Sequence, residues 1–93
     1  MIKVITPDVY KNALEDGKVE ELFCNSLFLN VAISCMGNNK KIEQVEFRNC
    51  VFKGYFFNYE FHNVLFKNCI LFDHESFFIN CKFVDCVKKS CDF

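Results

Sequence analysis

From Ile42 to the C-terminus, large apolar residues return at every fifth position: Ile42, Phe47, Phe52 and Phe57, then Phe61, Phe66 and Leu71, then Phe78, Phe83 and Phe93. Two places before many of them stands a small residue, most often cysteine, at Cys50, Cys69, Cys81, Cys86 and Cys91. This period is neither the ~3.6 of a helix nor the ~2 of a strand. A fixed short repeat predicts a coiled architecture in which each unit is stabilised by stacking on its neighbours. Two slips are needed to keep the beat, whose centres fall at 42, 47, 52, 57, 61, 66, 71, 78, 83, 88 and 93. All of these are Ile, Leu or Phe except Lys88. One slip shortens the step between Phe57 and Phe61. The other lengthens it between Leu71 and Phe78, around Asp73-His74-Glu75.

The chain ahead of the beat divides in two. Residues 1–17 predict a strand followed by a helix, with Thr6 as N-cap, Pro7 at the first helical position and Asp8 at the positive end of the dipole. Gly17 and Lys18 stop that helix. Tyr10, Ala13 and Leu14 share one side of it, so the segment is expected to cap an apolar end whose strand edges would otherwise recruit other chains. Residues 18–41 predict an irregular first coil and a loop. Phe23, Phe28 and Ile33 keep the five-residue step, but Glu21 occupies a small-residue position, and Met36-Gly37-Asn38-Asn39-Lys40-Lys41 has loop composition. Residues 42–93 carry the repeats, and the whole chain is expected to form a single domain.

The strings VEFRN-CVFKG-YFFNY and INCKFVDCVKKSCDF (residues 45–59 and 79–93) resemble the pentapeptide-repeat family, whose unit is a small residue, a polar residue, a central Leu or Phe, and two more polar residues. The resemblance implies an all-β fold, a right-handed quadrilateral β-helix with one repeat per side, here preceded by the short strand and helix cap. It also implies that each centre, and the residue two before it, points inward. Tyr55 and Tyr59 are large for that inner niche, and Lys88 departs from the pattern because a buried, unpaired ammonium is very costly.

With four sides per turn, the count places Cys50, Cys69 and Cys91 in one inner column. Outside, it places Arg48, Lys67 and Lys89 in one column and Asn49, Asn68 and Ser90 in the next. Phe56 and Phe77 share a further column, with Phe72 on the preceding side. Exposed aromatics grouped on one wall mark a contact surface. Phe56, Phe72, Phe77, Arg48, Lys67 and Lys89 are therefore the expected partner-binding residues.

Composition narrows the function class. The 93 residues suit one domain; they are 52% apolar, with thirteen Phe and a single Pro, which excludes a disordered chain. No run of apolar residues is long enough to span a membrane. A net charge of −1 and a pI near 6.1 favour neither a general polyanion binder nor a strongly acidic polyanion mimic. No apolar leader with a small-residue cleavage site opens the chain. The seven cysteines, odd in number and partly on the beat, read as reduced packing residues of a cytoplasmic protein.

Little in the sequence points to chemistry. The Cys-x4-Cys-x4-Cys spacing lacks the paired ligands of a zinc site, and His62 and His74 add no pair. No nucleophile motif, phosphate loop or dinucleotide fingerprint is present. Neither enzyme activity nor a cofactor is expected. The resemblance implies a non-enzymatic protein–protein interaction module, and some family members inhibit nucleic-acid-handling enzymes by imitating duplex DNA. A topoisomerase or an antiviral nuclease that a phage must disarm would be such a target. Mimicry needs acidic stripes, whereas Glu43, Glu46, Glu60, Asp85 and Asp92 are scattered, so general protein contact, including a homodimer, ranks first. The alternative is direct nucleic-acid binding through the basic column; a Cys-based metal or redox protein ranks last.

Overall fold

Thr6 ends the first strand, β1 (Lys3–Ile5), and starts the helix α1 (Pro7–Glu15). Its backbone is extended (φ −96°, ψ 170°) and its hydroxyl accepts the Val9 N–H at 3.4 Å, while Pro7 supplies a helical φ where no donor is needed. Gly17 (φ 68°) turns the chain out of the helix, as Lys18 N–H reaches back to the Ala13 carbonyl at 2.9 Å. The computed structural model describes residues 2–34, 41–57, 59–74 and 77–90, and the side chains of 2–33, 41–52, 59–71 and 77–87.

A 3-10 turn (Val19–Leu22) leads into ten further strands: β2 (Cys24–Leu29), β3 (Ala32–Ser34), β4 (Lys41–Arg48), β5 (Val51–Phe57), β6 (Glu60–His62), β7 (Leu65–Lys67), β8 (Ile70–His74), β9 (Phe77–Ile79), β10 (Lys82–Val84) and β11 (Val87–Ser90). Every pairing among the described residues is parallel. One sheet has seven strands: β1-β2-β4-β6-β9 form its main path, and β7, joined to β4, carries β10. The other sheet has four strands in the order β3-β5-β8-β11.

The core consists of like residues stacked from strand to strand. Phe28, Phe47, Phe66 and Phe83 align in register, with ring centroids 5.0, 5.3 and 4.8 Å apart. Ile42, Phe61 and Phe78 form a second stack, and Phe61 and Phe78 lie 4.9 Å apart and nearly coplanar at 4°. These distances match the ~4.8 Å between neighbouring strands, so each ring sits at van der Waals contact with the next. Beside the rings runs a column of small residues, linked by Val51 N–H to Val31 O, Ile70 N–H to Cys50 O and Val87 N–H to Cys69 O at 2.9–3.1 Å. Each cysteine thiol in the core has two carbonyls within reach. Cys69 lies 3.3 Å from both Phe47 O and Lys67 O, and Cys86 lies 3.2 Å from Phe66 O and 3.3 Å from Val84 O.

The chain bends at single left-handed residues, six of them between strands and two, Asn25 in β2 and Gln44 in β4, within one. Asn25, Asn30, Asn49, Asn63, Asn68, Asn80, Asp85 and Gln44 all have φ between 50° and 57°. All but Gln44 are Asn or Asp, the non-glycine residues that tolerate this region because a short polar side chain can bond locally.

The fold is not the all-β, right-handed quadrilateral β-helix that the five-residue beat predicted. It is a mixed structure, in which one α-helix and a 3-10 turn precede two parallel sheets. The beat treats Ile42 and Phe47 as centres on separate sides, yet both lie on β4, an eight-residue strand that bends at Gln44 without breaking and so belongs to one sheet.

The second slip is also different from the one expected. Phe47 pairs with Phe66, 19 positions on (47 to 66), but Phe66 pairs with Phe83, only 17 on (66 to 83). The seven residues from Leu71 to Phe78 therefore carry the chain through two steps of the beat, not a single lengthened one. Cys50 does lie beside Cys69, but the next residue in that column is Cys86; Cys91 lies outside the described residues. Asn68 is followed at its bend by Asp85, while Ser90 pairs with Asp73. Tyr59 is buried and stacks on Phe61 at 5.9 Å, so its size is accommodated; the side chains of Tyr55 and Lys88 lie outside the described ones.

Two stability outcomes follow from this packing. Phe66 is fully enclosed by Phe47, Phe52, Phe61, Phe78 and Phe83, so Phe66→Ala is expected to cost about 3–5 kcal/mol in denaturant unfolding. At Asn68 (φ 54°), Ala is expected to cost about 1 kcal/mol and Gly measurably less, read from the same unfolding curves.

Candidate interaction surfaces

Of the six residues expected to meet a partner, the fold sets two pairs side by side, Arg48 with Lys67 across β4 and β7 and Phe72 with Lys89 across β8 and β11. The Arg48–Lys67 row continues with Val84, not Lys89. Lys89 pairs with Phe72 in the four-stranded sheet. Phe56 pairs with Asp73 and Phe77 with Glu60, so the expected column of Phe56 and Phe77 does not form. The extra step between Leu71 and Phe78 displaces everything beyond it by one side. Phe77 is exposed; the side chains of Phe56, Phe72 and Lys89 lie outside the described ones.

The charged rows on the seven-stranded sheet are largely self-neutralising. Arg48 Nε donates to the Glu46 carboxylate two residues back on the same strand, which leaves Lys67 as the uncompensated member of the basic row among the described side chains. Lys41 and Glu43 pair at 2.9 Å, and this contact holds the Glu43 carboxyl below its usual range and the Lys41 ammonium above its own. On the next strand Glu60 sits across from Lys41 and His62 across from Glu43, with His62 Nε2 3.6 Å from Glu60 Oε1. Opposite charges at strand spacing stabilise by little when exposed, but they cancel the long-range field that would steer a charged partner.

An open groove of about 470 Å³ lies on this sheet, lined by the Leu27–Glu46–Leu65 register row together with Gln44, Arg48 and Asn63. The outer face of the four-stranded sheet has a different character. Ala32, Val51, Ile70 and Val87 lie in one register row across all four strands. Val51, Ile70 and Val87 are 41%, 41% and 48% exposed, so the row is an apolar ridge turned to solvent. Sequence reasoning missed it, although a signal was there: an aliphatic residue directly follows the cysteine in Cys50-Val51, Cys69-Ile70 and Cys86-Val87.

Among the described residues, no group of three or more His, Cys, Asp or Glu is placed to hold a metal ion. No helix among them is long and apolar enough to cross a membrane. Five described cysteines are free thiols, with Cys24 exposed and Cys50 and Cys69 buried. The Cys69 thiol is pushed up by its hydrogen bond with Cys50 and by burial. Thiolates are the reactive form, so Cys69 is protected both by access and by protonation, whereas Cys50, whose thiol is held below its usual range by its hydrogen bond with Cys69, is protected by access. A brief alkylation pulse followed by peptide mass mapping is expected to label Cys24 at once and Cys50 and Cys69 only in denaturant. Compared with protein-family models, with curated proteins and with solved structures, the chain has no match in any of the three.

Proposed function

We propose that the chain is a non-enzymatic protein–protein interaction module that binds its partner through the outer face of the four-stranded sheet. The observation that carries this reading is the Ala32–Val51–Ile70–Val87 row, an apolar ridge with one residue from each strand. A β-branched row fixed on a stacked sheet loses little side-chain entropy on binding and offers a contiguous apolar contact. On the other sheet Lys41 pairs with Glu43 and Arg48 with Glu46, which favours apolar recognition over electrostatic capture of nucleic acid. The resemblance of residues 45–59 and 79–93 to pentapeptide repeats makes a nucleic-acid-handling enzyme the first partner class to test. The free thiols accord with a reducing, cytoplasmic setting.

The test is affinity capture from the native cell with wild-type protein, an Ile70→Lys variant and an Arg48→Glu/Lys67→Glu variant, each first shown to melt as the wild type does. Captured enzymes, topoisomerases and nucleases among them, are then titrated individually. Ile70→Lys is expected to weaken the partner by about tenfold or more, the scale of a central interface residue, with the charge-reversed variant near wild type. Unchanged affinity for Ile70→Lys would sink the reading. Binding to DNA with a steep salt dependence, abolished by the charge reversal, would replace it with the nucleic-acid alternative.

A further inference from the structure

Three cysteines stand one beside another in successive layers of the four-stranded sheet. Ile70 N–H reaches Cys50 O at 3.1 Å and Val87 N–H reaches Cys69 O at 2.9 Å, so Cys50, Cys69 and Cys86 form one inward column. Each thiol makes the same two contacts, with the carbonyl two residues back and with one of the neighbouring layer. The three sulfurs therefore lie in line. Access is graded along the column: Cys50 and Cys69 are buried, whereas Cys86 is half-buried. Cys81 supplies an internal comparison. It is half-buried too, and its thiol meets Phe61 O and Ile79 O at 3.3 and 3.4 Å, but Lys82 N–H to Val64 O places a valine beside it in the adjoining layer.

We propose that this column is a peroxide-sensitive disulfide relay, which takes up oxidation at Cys86 and passes it inward to a Cys50–Cys69 disulfide. The inference does not rest on the partner-binding reading. Backbone spacing permits it, since neighbouring strands run ~4.8 Å apart, inside the roughly 4.4–6.8 Å that separates the Cα atoms of a disulfide. In the first step a hydroperoxide oxidises the Cys86 thiol to a sulfenic acid and is itself reduced to the alcohol or, for hydrogen peroxide, to water. The Cys69 sulfur then displaces that hydroxyl, forming the Cys69–Cys86 disulfide and releasing water. In the last step the Cys50 sulfur attacks Cys69, the Cys86 sulfur leaves, and the proton of the Cys50 thiol passes to it. The peroxide takes two electrons, which come in the end from Cys50 and Cys69, and Cys86 is returned as a free thiol. Exchange proceeds by attack of one sulfur on another as the old bond breaks behind it, and the column sets all three sulfurs in that line. Hydrogen bonding to Cys69 holds the Cys50 thiol below its usual range, which favours the attacking thiolate. The product disulfide lies in the buried part of the column, closed to reductants that reach Cys86.

The experiment exposes the full, folded chain to a small excess of hydrogen peroxide, quenches at intervals with acid, blocks free thiols in denaturant and maps disulfides by peptide mass. In wild type the Cys69–Cys86 link is expected first and Cys50–Cys69 later, with Cys86 recovered as a thiol. Cys50→Ser is expected to stop at Cys69–Cys86. Should that variant not fold, Cys50→Val serves, because Val31 fills the same column in the adjoining layer. Cys86→Ser removes the point of entry and is expected to slow formation of Cys50–Cys69 by about tenfold or more. In parallel reactions containing dimedone, Cys81, with Val64 beside it, is expected to be trapped as a sulfenic acid while Cys86 escapes into the disulfide. Absence of any disulfide within the column overturns the inference, as does a disulfide from Cys86 to a cysteine outside it. Equal rates of Cys50–Cys69 formation in wild type and Cys86→Ser would overturn it too, since oxidation would then enter without the relay.

Discussion

The stacking of inward aromatic rings at the spacing of parallel strands is the interaction on which the rest of this structure depends. Phe28, Phe47, Phe66 and Phe83 can touch face to face only while their strands stay in exact register, since a one-residue slip would send every ring to solvent. Hydrogen bonds alone would tolerate such a slip, because parallel backbone offers the same donors and acceptors at each register. The rings make it expensive: each buries a large apolar surface, and Phe28, Phe47 and Phe66 are each held between two other rings. The bends follow from that demand. A chain that must return in register within 17 or 19 residues has no room for long turns, and single left-handed Asn and Asp residues reverse its course at least length.

The same constraint explains the cysteines. A residue packed beside a stacked ring, with its backbone already in the ladder, must be small, and any polar hydrogen it carries must find an acceptor. Cys50, Cys69, Cys81 and Cys86 meet both conditions by pointing their thiols at the carbonyl two residues back, on the preceding strand, and at one of the neighbouring layer. Ser26 does the same, with its hydroxyl donating to Cys24 O at 2.9 Å. These sulfurs therefore belong to the core, and the chain presents its distinguishing features on the outside. One outer face carries paired charges and another an aliphatic ridge.

Much of the local structure was legible in the sequence. Thr6-Pro7-Asp8 and Gly17 marked the helix ends because capping depends on side chains within a few residues. Ile42, Phe47, Phe52, Phe61, Phe66 and Leu71 marked the core because inward positions must be apolar whatever the topology. The misreadings have a common origin. The interval from Leu71 to Phe78 contains two steps of the beat compressed into seven residues, and a period counted along the chain registers only that something slipped there. That ambiguity moved Lys89 beside Arg48 and Lys67 and Phe77 beside Phe56, where the fold places neither. The aliphatic ridge was overlooked for a different reason: Val51, Ile70 and Val87 each stand one place before a centre, outside the inward positions, and only the strand register shows that they are neighbours.

By itself, the sequence determined the core positions Ile42, Phe47, Phe52, Phe61, Phe66 and Leu71 and where the helix would begin and end. Those properties are local, set by side-chain chemistry and by conformational preferences within a few residues. Only the tertiary structure decided which turn lies on which, that two beats merge in β4, and that Cys86 follows Cys69. It also decided which apolar residues face solvent. Those outcomes depend on the number of residues spent between layers and on ring-to-ring contact between residues 17 to 19 positions apart, which no periodicity along the chain encodes.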